Sequence, residues 1–300
     1  MVLDDSDWLE LLEAIDDKTC LPFIGPEANY PWITGDKDLA KRWAIENKYP
    51  LDDSFQLSRV SQFMAIKNTI SSTKKKLIRE LKNTPIPAFD LEEHRNTTYS
   101  VLSDFNLPIY ITTNYDHLME SALKSKGKEP LSEFSVWNEN LKNYMNLESE
   151  PSTFNNKFEP SVSNPLIYHL YGDIEYFDSM VLIEREYFDF ITYMVLEQDD
   201  VIPTIIKNTF SKAIFLFIGY RLEDTNFLTL FQFINLIKKI QQQKSLAAQF
   251  TSVMDPSKRN LIEDYLNKYC DDMFKIRIYL GDSRSFCEEL RYRYNKYKGG

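Results

Sequence analysis

Residues 107–127 read LPIYITTNYDHLMESALKSKG, in which a short apolar run leads directly into an amphipathic pattern. The run at 107–114 predicts a buried strand, and the segment from Tyr115 predicts a helix that ends at Gly127. A strand that passes straight into a helix is the repeating unit of a parallel α/β sheet. This stretch therefore sets the fold class.

The same alternation of strand and helix extends to both ends of the chain. Further apolar runs predict strands at 20–25, 132–137, 167–172, 180–183, 213–220, 247–253 and 274–280. Helical patterns occupy 38–47, 53–67, 72–83, 91–104, 184–195, 223–240, 256–269 and 284–297, and a polar stretch at 138–164 predicts a loop. Strands that are apolar throughout and separated by helices predict an α/β fold with a mostly parallel sheet covered by helices on both faces.

The segment between the first two strands is far longer than a simple crossover needs. About 80 residues separate them, and most carry helical patterns. The sequence therefore predicts a helical insertion or small subdomain at about 37–106, after the first strand.

Composition excludes several classes of function. The net charge of −10 argues against direct binding to nucleic acid or to an anionic membrane surface. No apolar run approaches the ~20 residues of a membrane span, and the acidic start MVLDDSDWLELLEAIDDK predicts an amphipathic helix, not a signal peptide. The three cysteines are scattered without a CxxC pair, so neither a zinc site nor a disulfide framework is expected. These features predict a cytoplasmic protein.

Ligands of parallel α/β sheets bind outside the carboxyl ends of the strands. The sequences at those ends are GPEAN (25–29), TTNYD (112–116), YGD (171–173), GYRLED (219–224) and LGD (280–282). The candidate cofactor-binding residues are therefore Gly25, Pro26, Glu27, Ala28, Asn29, Thr112, Thr113, Gly219, Tyr220 and Asp282.

Two of these ends have an alternative structural explanation. In TTNYD, a Thr, Asn or Asp before the helix is what an N-cap requires, whereas the functional alternative is a fixed amide that binds a sugar or a water. In GPEAN, Pro26 has no N–H and Glu27 is anionic, so the loop is poorly suited to phosphates and a plain turn is the alternative.

The stretch PLIYHLYGDI, at 165–174, places a histidine and a tyrosine two positions apart. Strand alternation predicts that His169 and Tyr171 share one face, with Tyr171 nearer the open end beside Gly172. His169 is one strand repeat deeper, where a satisfied core histidine is the more common outcome.

The motifs LPFIG, YITTNYDHLMESAL, PLIYHLYGDI and FLFIGYRLEDTNF, in that order, resemble the sirtuin-like domains of bacterial proteins, many of which are NAD-consuming effectors in phage defence. The resemblance runs along nearly the whole chain and implies a single Rossmann-like NAD-binding domain at 1–300. It also implies NAD as substrate or ligand, assembly into a homo-oligomer and a partner defence protein. Lack of a CxxC…CxxC ribbon separates the chain from the zinc-containing deacetylases of the wider family.

The resemblance also assigns roles to three residues. Asn114 corresponds to the family's essential asparagine, which positions the nicotinamide ribose and a water, and Asp116 would organise the nicotinamide pocket. The family motif HLHG is HLYG here, so Tyr171 replaces the usual histidine base. A phenol has a reference pKa near 10 against about 6.5 for imidazole, and is the poorer base at neutral pH. Two hypotheses follow: an NAD hydrolase with an altered base, or a weakened domain that binds NAD or ADP-ribose as a sensor or assembly module.

Overall fold

The protein is an α/β structure built on one parallel sheet. A computed structural model describes residues 3–29, 31–144, 157–196, 201–221, 225–237, 245–249 and 276–299, together with positions 261, 264, 265 and 268. The strands within these ranges are β1 (Cys20–Ile24), β2 (Ile109–Thr112), β3 (Leu131–Phe134), β4 (Leu166–His169), β5 (Ile214–Tyr220), β6 (Ser245–Gln249) and β7 (Ile276–Leu280). Their order is β3-β4-β2-β1-β5-β6-β7, and every pairing is parallel.

Helices cover both faces of this sheet. Those in the described ranges are α1 (Asp5–Asp16), α2 (Asp36–Asn47), α3 (Leu57–Lys67), α4 (Ile70–Lys82), α5 (Thr98–Asp104), α6 (Leu118–Ser125), α7 (Glu139–Tyr144), α8 (Glu184–Leu196), α9 (Thr204–Phe210), α10 (Thr225–Ile237) and α11 (Ser283–Gly299). None of the helices in the described part of the chain is long and apolar enough to cross a membrane.

The central strands send alternate side chains into two separate cores. Phe23 of β1 and Phe217 of β5 enter a core with helices α2, α3, α4, α7, α8, α9 and α10. Ile24 and Ile218, their neighbours in sequence, enter a second core with α1, α5, α6 and α11. This alternation is the period-two geometry of a strand buried on both sides. The predicted parallel sheet with helices on both faces is confirmed.

The insertion after the first strand is also confirmed. Helices α2 to α5 lie between β1 and β2, and a short 3-10 helix at Glu92–His94 precedes α5. The indole Nε1–H of Trp43, fully buried in α2, donates a 2.9 Å hydrogen bond to Glu80 of α4 and so joins two helices of the insertion. That residues 1–300 form a single domain stays a prediction, and the predicted helix at 256–269 lies largely outside the described residues.

A proline lies within the central strand. Pro22 has no N–H to donate, and prolines are rare in strands paired on both sides. β1 pairs with β5 over five positions but with β2 only at Phe23 and Ile24. The hydrogen-bonded contact between β1 and β2 is therefore short and confined to the carboxyl end of the sheet.

Two predicted elements were wrong. The apolar run Met180–Ile183 is fully buried but is not a strand, because its backbone N–H groups bond elsewhere. Val181 donates to the carbonyl of Tyr171, and the next two N–H groups donate to the Glu186 carboxylate at the start of α8. Within the predicted loop 138–164, Glu139–Tyr144 forms the short helix α7, while residues 145–156 lie outside the described ranges.

Candidate functional site

A cavity opens at the carboxyl ends of the central strands, where β1 is flanked by β2 and β5. Its volume is about 680 Å³, including its open mouth. Seven of the predicted site residues line it: Pro26, Asn29, Thr113, Asn114, Asp116, Tyr171 and Tyr220. This is the crevice in which open parallel α/β sheets bind their ligands.

Asn114 is the most densely bonded of these residues. It is 5% exposed, and its Nδ2 donates to the Gly25 carbonyl at 3.1 Å and to Asn29 Oδ1 at 2.9 Å. Its backbone N–H donates to Thr112 Oγ1 at 3.0 Å. Helix α6 begins at Leu118, four residues later, and Asp116 Oδ1 accepts the Leu118 N–H at 3.0 Å. The capping function therefore belongs to Asp116, and the Asn114 amide is directed into the cavity floor instead.

Asn29 links Asn114 to Asp116. Its Oδ1 accepts from Asn114, and its Nδ2 donates to Asp116 Oδ2 at 2.7 Å. The hydroxyl of Tyr99, from helix α5, donates to the same Asn29 oxygen. Burial is the main cause that raises the pKa of Asp116 above its ordinary value, while its hydrogen bonds act in the opposite direction. The result is a pre-formed array of two amides, a phenol and a carboxyl group.

The first loop is a compact turn in the described structure. Pro26–Asn29 forms a 3-10 helix directly after β1. A Cβ at Gly25 would lie 2.6 Å from the Gly219 carbonyl oxygen, and a Cβ at Gly219 would lie 2.3 Å from the Ala28 backbone nitrogen. Both glycines are therefore required by close backbone approach. Glu27 lies 3.8 Å from the guanidinium of Arg221, so the loop also carries an ion pair next to the cavity.

Three hydroxyl groups converge on one carbonyl at the end of β1. The Ile24 oxygen lies 3.1 Å from Thr112 Oγ1, 3.2 Å from the Tyr220 hydroxyl and 3.5 Å from Thr113 Oγ1. It also accepts the Thr113 N–H at 3.0 Å. Thr113 Oγ1 lies 3.1 Å from the Tyr220 hydroxyl. These bonds hold the ends of β1, β2 and β5 together below the cavity.

Strand alternation predicted that Tyr171 and His169 share one face, and this was wrong. Strand β4 ends at His169, and Gly172 follows with φ +93°, so the chain turns before alternation can continue. Tyr171 lines the cavity and packs edge-on against Tyr187 and Phe190 of helix α8, with ring centroids 5.0 and 5.3 Å away.

His169 belongs to a separate buried network on the other side of Asn114. Its Nδ1 lies 2.9 Å from the Asn114 carbonyl oxygen, and its Nε2 lies 2.7 Å from Glu120 Oε1. Burial by itself lowers the pKa of His169, but the Glu120 carboxylate outweighs it and raises that pKa to about 9. Nearby, His117 Nε2 lies 2.8 Å from Asp173 Oδ2, a hydrogen bond that raises the pKa of His117.

Asp282 is occupied with helix capping. Its carboxylate accepts the Ser285 backbone N–H at 2.8 Å and the Ser285 hydroxyl at 2.9 Å at the start of α11. It does not line the cavity, so its role in cofactor binding stays a prediction. The cysteines that the structure describes, Cys20 and Cys287, are buried thiols.

Sequence reasoning missed the parts of the site that come from helices. Tyr99 is fully buried and bonds the amide of Asn114 at 3.1 Å, yet it lies in the insertion with no strand end beside it. Five apolar side chains of the cavity wall also come from helices: Leu39, Leu77, Leu81, Phe227 and Leu230. Their spacing marks them only as core residues of amphipathic helices.

Comparison with known proteins agrees with this architecture. A profile described as "SIR2-like domain" matches residues 108–270, more than half of the chain. The protein is 27% identical over 188 residues to the NAD(+) hydrolase ThsA of Cytobacillus dafuensis, covering 63% of this chain and 32% of that protein. It is 25% identical over 201 residues to the NAD(+) hydrolase ThsA of Enterococcus faecium, covering 65% and 35%. The chain thus spans about a third of the length of these curated relatives. The matched region, together with the sheet and the cavity at its carboxyl edge, shows that this chain belongs to the SIR2-like domain family.

Proposed function

We propose that this chain binds NAD in the cavity at the carboxyl edge of the sheet and hydrolyses it to nicotinamide and ADP-ribose. The observation that carries the proposal is the buried array in which Asn29 joins Asn114 to Asp116 at the cavity floor. The two relatives named as NAD(+) hydrolases support the same reaction. The resemblance in the sequence further supports a role as an effector in bacterial anti-phage immunity.

The array suits the cleavage of a glycosidic bond. Departure of nicotinamide leaves positive charge on the ribose, as in other reactions with an oxocarbenium-like transition state. Asp116 and Asp36 both line the cavity, and a carboxylate beside that ribose would stabilise the developing charge. The Asn114 amide, held by fixed bonds, would orient the ribose or the attacking water without reorganisation.

Tyr171 is the residue that distinguishes this site from the usual HLHG arrangement. It lines the same cavity as Asn114 and Asp116. In this proposal it helps to place the substrate, and the water loses its proton with less assistance than an imidazole would give. General-base assistance typically contributes ~10²–10⁴-fold, so this substitution would slow hydrolysis without abolishing it.

The second candidate is a domain that binds NAD or ADP-ribose without cleaving it, as a sensor or assembly module. The specific observations that favour it are Tyr171 at the base position and the anionic Glu27 in the first loop. Both proposals place the chain in the cytoplasm, where NAD is available, and both include a homo-oligomer and a partner defence protein.

The experiment is incubation with NAD and measurement of free nicotinamide, alongside calorimetry with NAD and with ADP-ribose. We expect turnover by the native chain, and a rate at least ~10²-fold lower for Asn114→Ala, since removing one fixed polar contact to a transition state costs about that much. Asn106→Ala, at an exposed asparagine, is the matched control. Binding without turnover selects the sensor, and no binding of either ligand rejects both proposals.

A further inference from the structure

Four potential metal ligands converge behind the cavity floor. His117 precedes helix α6, Glu120 lies in its first turn, His169 ends β4 and Asp173 follows Gly172. One donor atom from each of the first three lies within 4.8 Å of the others. Asp173 Oδ2 is 2.8 Å from Nε2 of His117 and 4.0 Å from Nε2 of His169. These four side chains are called the His–carboxylate cluster.

The cluster contains a buried oxygen that lacks a hydrogen bond. Glu120 is 4% exposed, and its Oε1 bonds both His169 and Ser132. Its other oxygen, Oε2, is buried and has no hydrogen-bond partner among the described residues. A buried carboxylate oxygen without a donor is costly, and a bound ion is one of the accepted explanations for such an oxygen.

Contacts outside the cluster orient the ligands as they do around known metal ions. His169 Nδ1 lies 2.9 Å from the Asn114 carbonyl oxygen, which leaves Nε2 facing the cluster. Glu120 Oε1 accepts from the Ser132 hydroxyl at 2.6 Å, and Asp173 Oδ1 accepts the Glu175 N–H at 2.7 Å. A metal-bound histidine almost always directs its other ring nitrogen to a carbonyl or carboxylate in this way.

We propose that the His–carboxylate cluster binds one divalent first-row transition-metal ion. Two imidazoles with two carboxylates suit ions such as Mn²⁺, Fe²⁺, Co²⁺ or Zn²⁺, and the two carboxylates balance the divalent charge. Tetrahedral coordination at about 2.1 Å would set ligand atoms about 3.4 Å apart, so small side-chain shifts suffice. The site is unlike the cysteine ribbon that the sequence lacks. The sequence predicts no metal here, because the ligands come from two distant stretches, 117–120 and 169–173, which only the fold brings together.

The test is titration of the chelator-treated full chain with Co²⁺, followed by visible absorption, with metal content measured by mass spectrometry. We expect one Co²⁺ per chain, a visible band displaced by Zn²⁺, and a higher melting temperature with metal. The variants Glu120→Gln and His117→Gln should weaken Co²⁺ binding by at least ~10²-fold, because even outer-sphere changes cost 10–100-fold. His94→Gln, at the remaining histidine of the chain, should leave it unchanged.

His117 is partly exposed, so its variant tests the site even if Glu120→Gln fails to fold. Failure of the native chain to bind Co²⁺, Zn²⁺ or Mn²⁺ would overturn the proposal and leave the cluster as two neighbouring ion pairs. Binding that survives both ligand substitutions would overturn it as well. None of these readouts depends on NAD turnover, so they test the metal site independently of the proposed hydrolase activity.

Discussion

The side-chain amide of Asn114 donates a 2.9 Å hydrogen bond to the side-chain oxygen of Asn29. The two residues are 85 positions apart, one after β2 and the other at the end of the first loop after β1. Their contact fixes both amides before any ligand arrives. Pre-organised polar groups of this kind stabilise a transition state without a reorganisation cost.

Replacing Asn29 tests how much that contact contributes. In Asn29→Ala, Asn114 loses an acceptor and Asp116 loses a donor. Unpaired buried polar groups cost about 1–3 kcal/mol, and about 1.4 kcal/mol is tenfold in rate. We expect nicotinamide release to fall by about 10–100-fold. A rate equal to that of the exposed control Asn106→Ala would show that Asn114 is positioned without Asn29.

Two substitutions at Tyr171 separate proton transfer from packing. Tyr171→His supplies an imidazole at the cavity wall, and we expect nicotinamide release to rise by at least ~10-fold, within the usual range of general-base assistance. Tyr171→Phe keeps the edge-on contacts with Tyr187 and Phe190 and should retain most of the native rate. No gain in the histidine variant would place the limiting defect in the first loop or in the cavity as a whole.

Substitutions at Gly219 and Gly127 test how closely the first loop packs against β5. Both have positive φ, +81° and +74°, but a Cβ at Gly127 meets nothing within 4 Å, whereas at Gly219 it lies 2.3 Å from the Ala28 nitrogen. Gly127→Ala should lower the free energy of unfolding by about 1–2 kcal/mol, and Gly219→Ala by about 2–5 kcal/mol with loss of NAD binding. Chemical denaturation and calorimetry measure both. Equal effects would mean that the loop tolerates displacement from Gly219.

Glu80 makes the insertion sensitive to acid. Burial opposes the effect, but hydrogen bonds from Arg42 and Trp43 lower the pKa of Glu80 below its ordinary value of 4.5. A carboxyl group with a lowered pKa stabilises the folded state at higher pH and loses that contribution as the pH falls through the folded pKa. Glu80→Gln should therefore cost about 1–2 kcal/mol at pH 7 and progressively less below pH 4.5.

Urea denaturation across this pH range measures the difference between Glu80→Gln and the native chain. Glu92→Gln is the control, because Glu92 is 83% exposed in its ion pair with Arg95 and should change stability little. A difference that does not vary with pH would show that the charge of Glu80 is not what stabilises the insertion.

The sequence was sufficient to predict which edge of the sheet carries the cavity, because the sheet geometry is simple. Apolar strands separated by helices predict a parallel sheet, and the polar residues after each strand then share one edge. Asn114, Asp116 and Tyr220 were found this way, and all three line the cavity. Tyr171 also lines the cavity, but its predicted face was wrong, since β4 ends at His169 and the chain turns over residues 169–172.

Residues outside the strand ends carried no comparable signal. Tyr99 joins the amide network from helix α5, and Glu120 meets His169 from helix α6. Each is separated in sequence from its partners, by 15 and 49 positions, and only the packing of helices against the sheet brings them together. Helical periodicity distinguishes a buried face from an exposed one but not a structural contact from a functional one.

Pro22 lies where the pairing between β1 and β2 stops. The hydrogen-bonded ladder between β1 and β2 has only two register positions, the fewest of any strand pair in the described sheet, and this boundary is called the seam. Asn114 lies on one side of that seam, and Asn29 and Tyr220 lie on the other. A ligand bound across the cavity would contact residues on both sides of the seam and would stabilise the pairing of β1 with β2. Amide hydrogen exchange in β1 and β2 should then slow when the cavity is occupied, because the residues that form its floor also join these two strands.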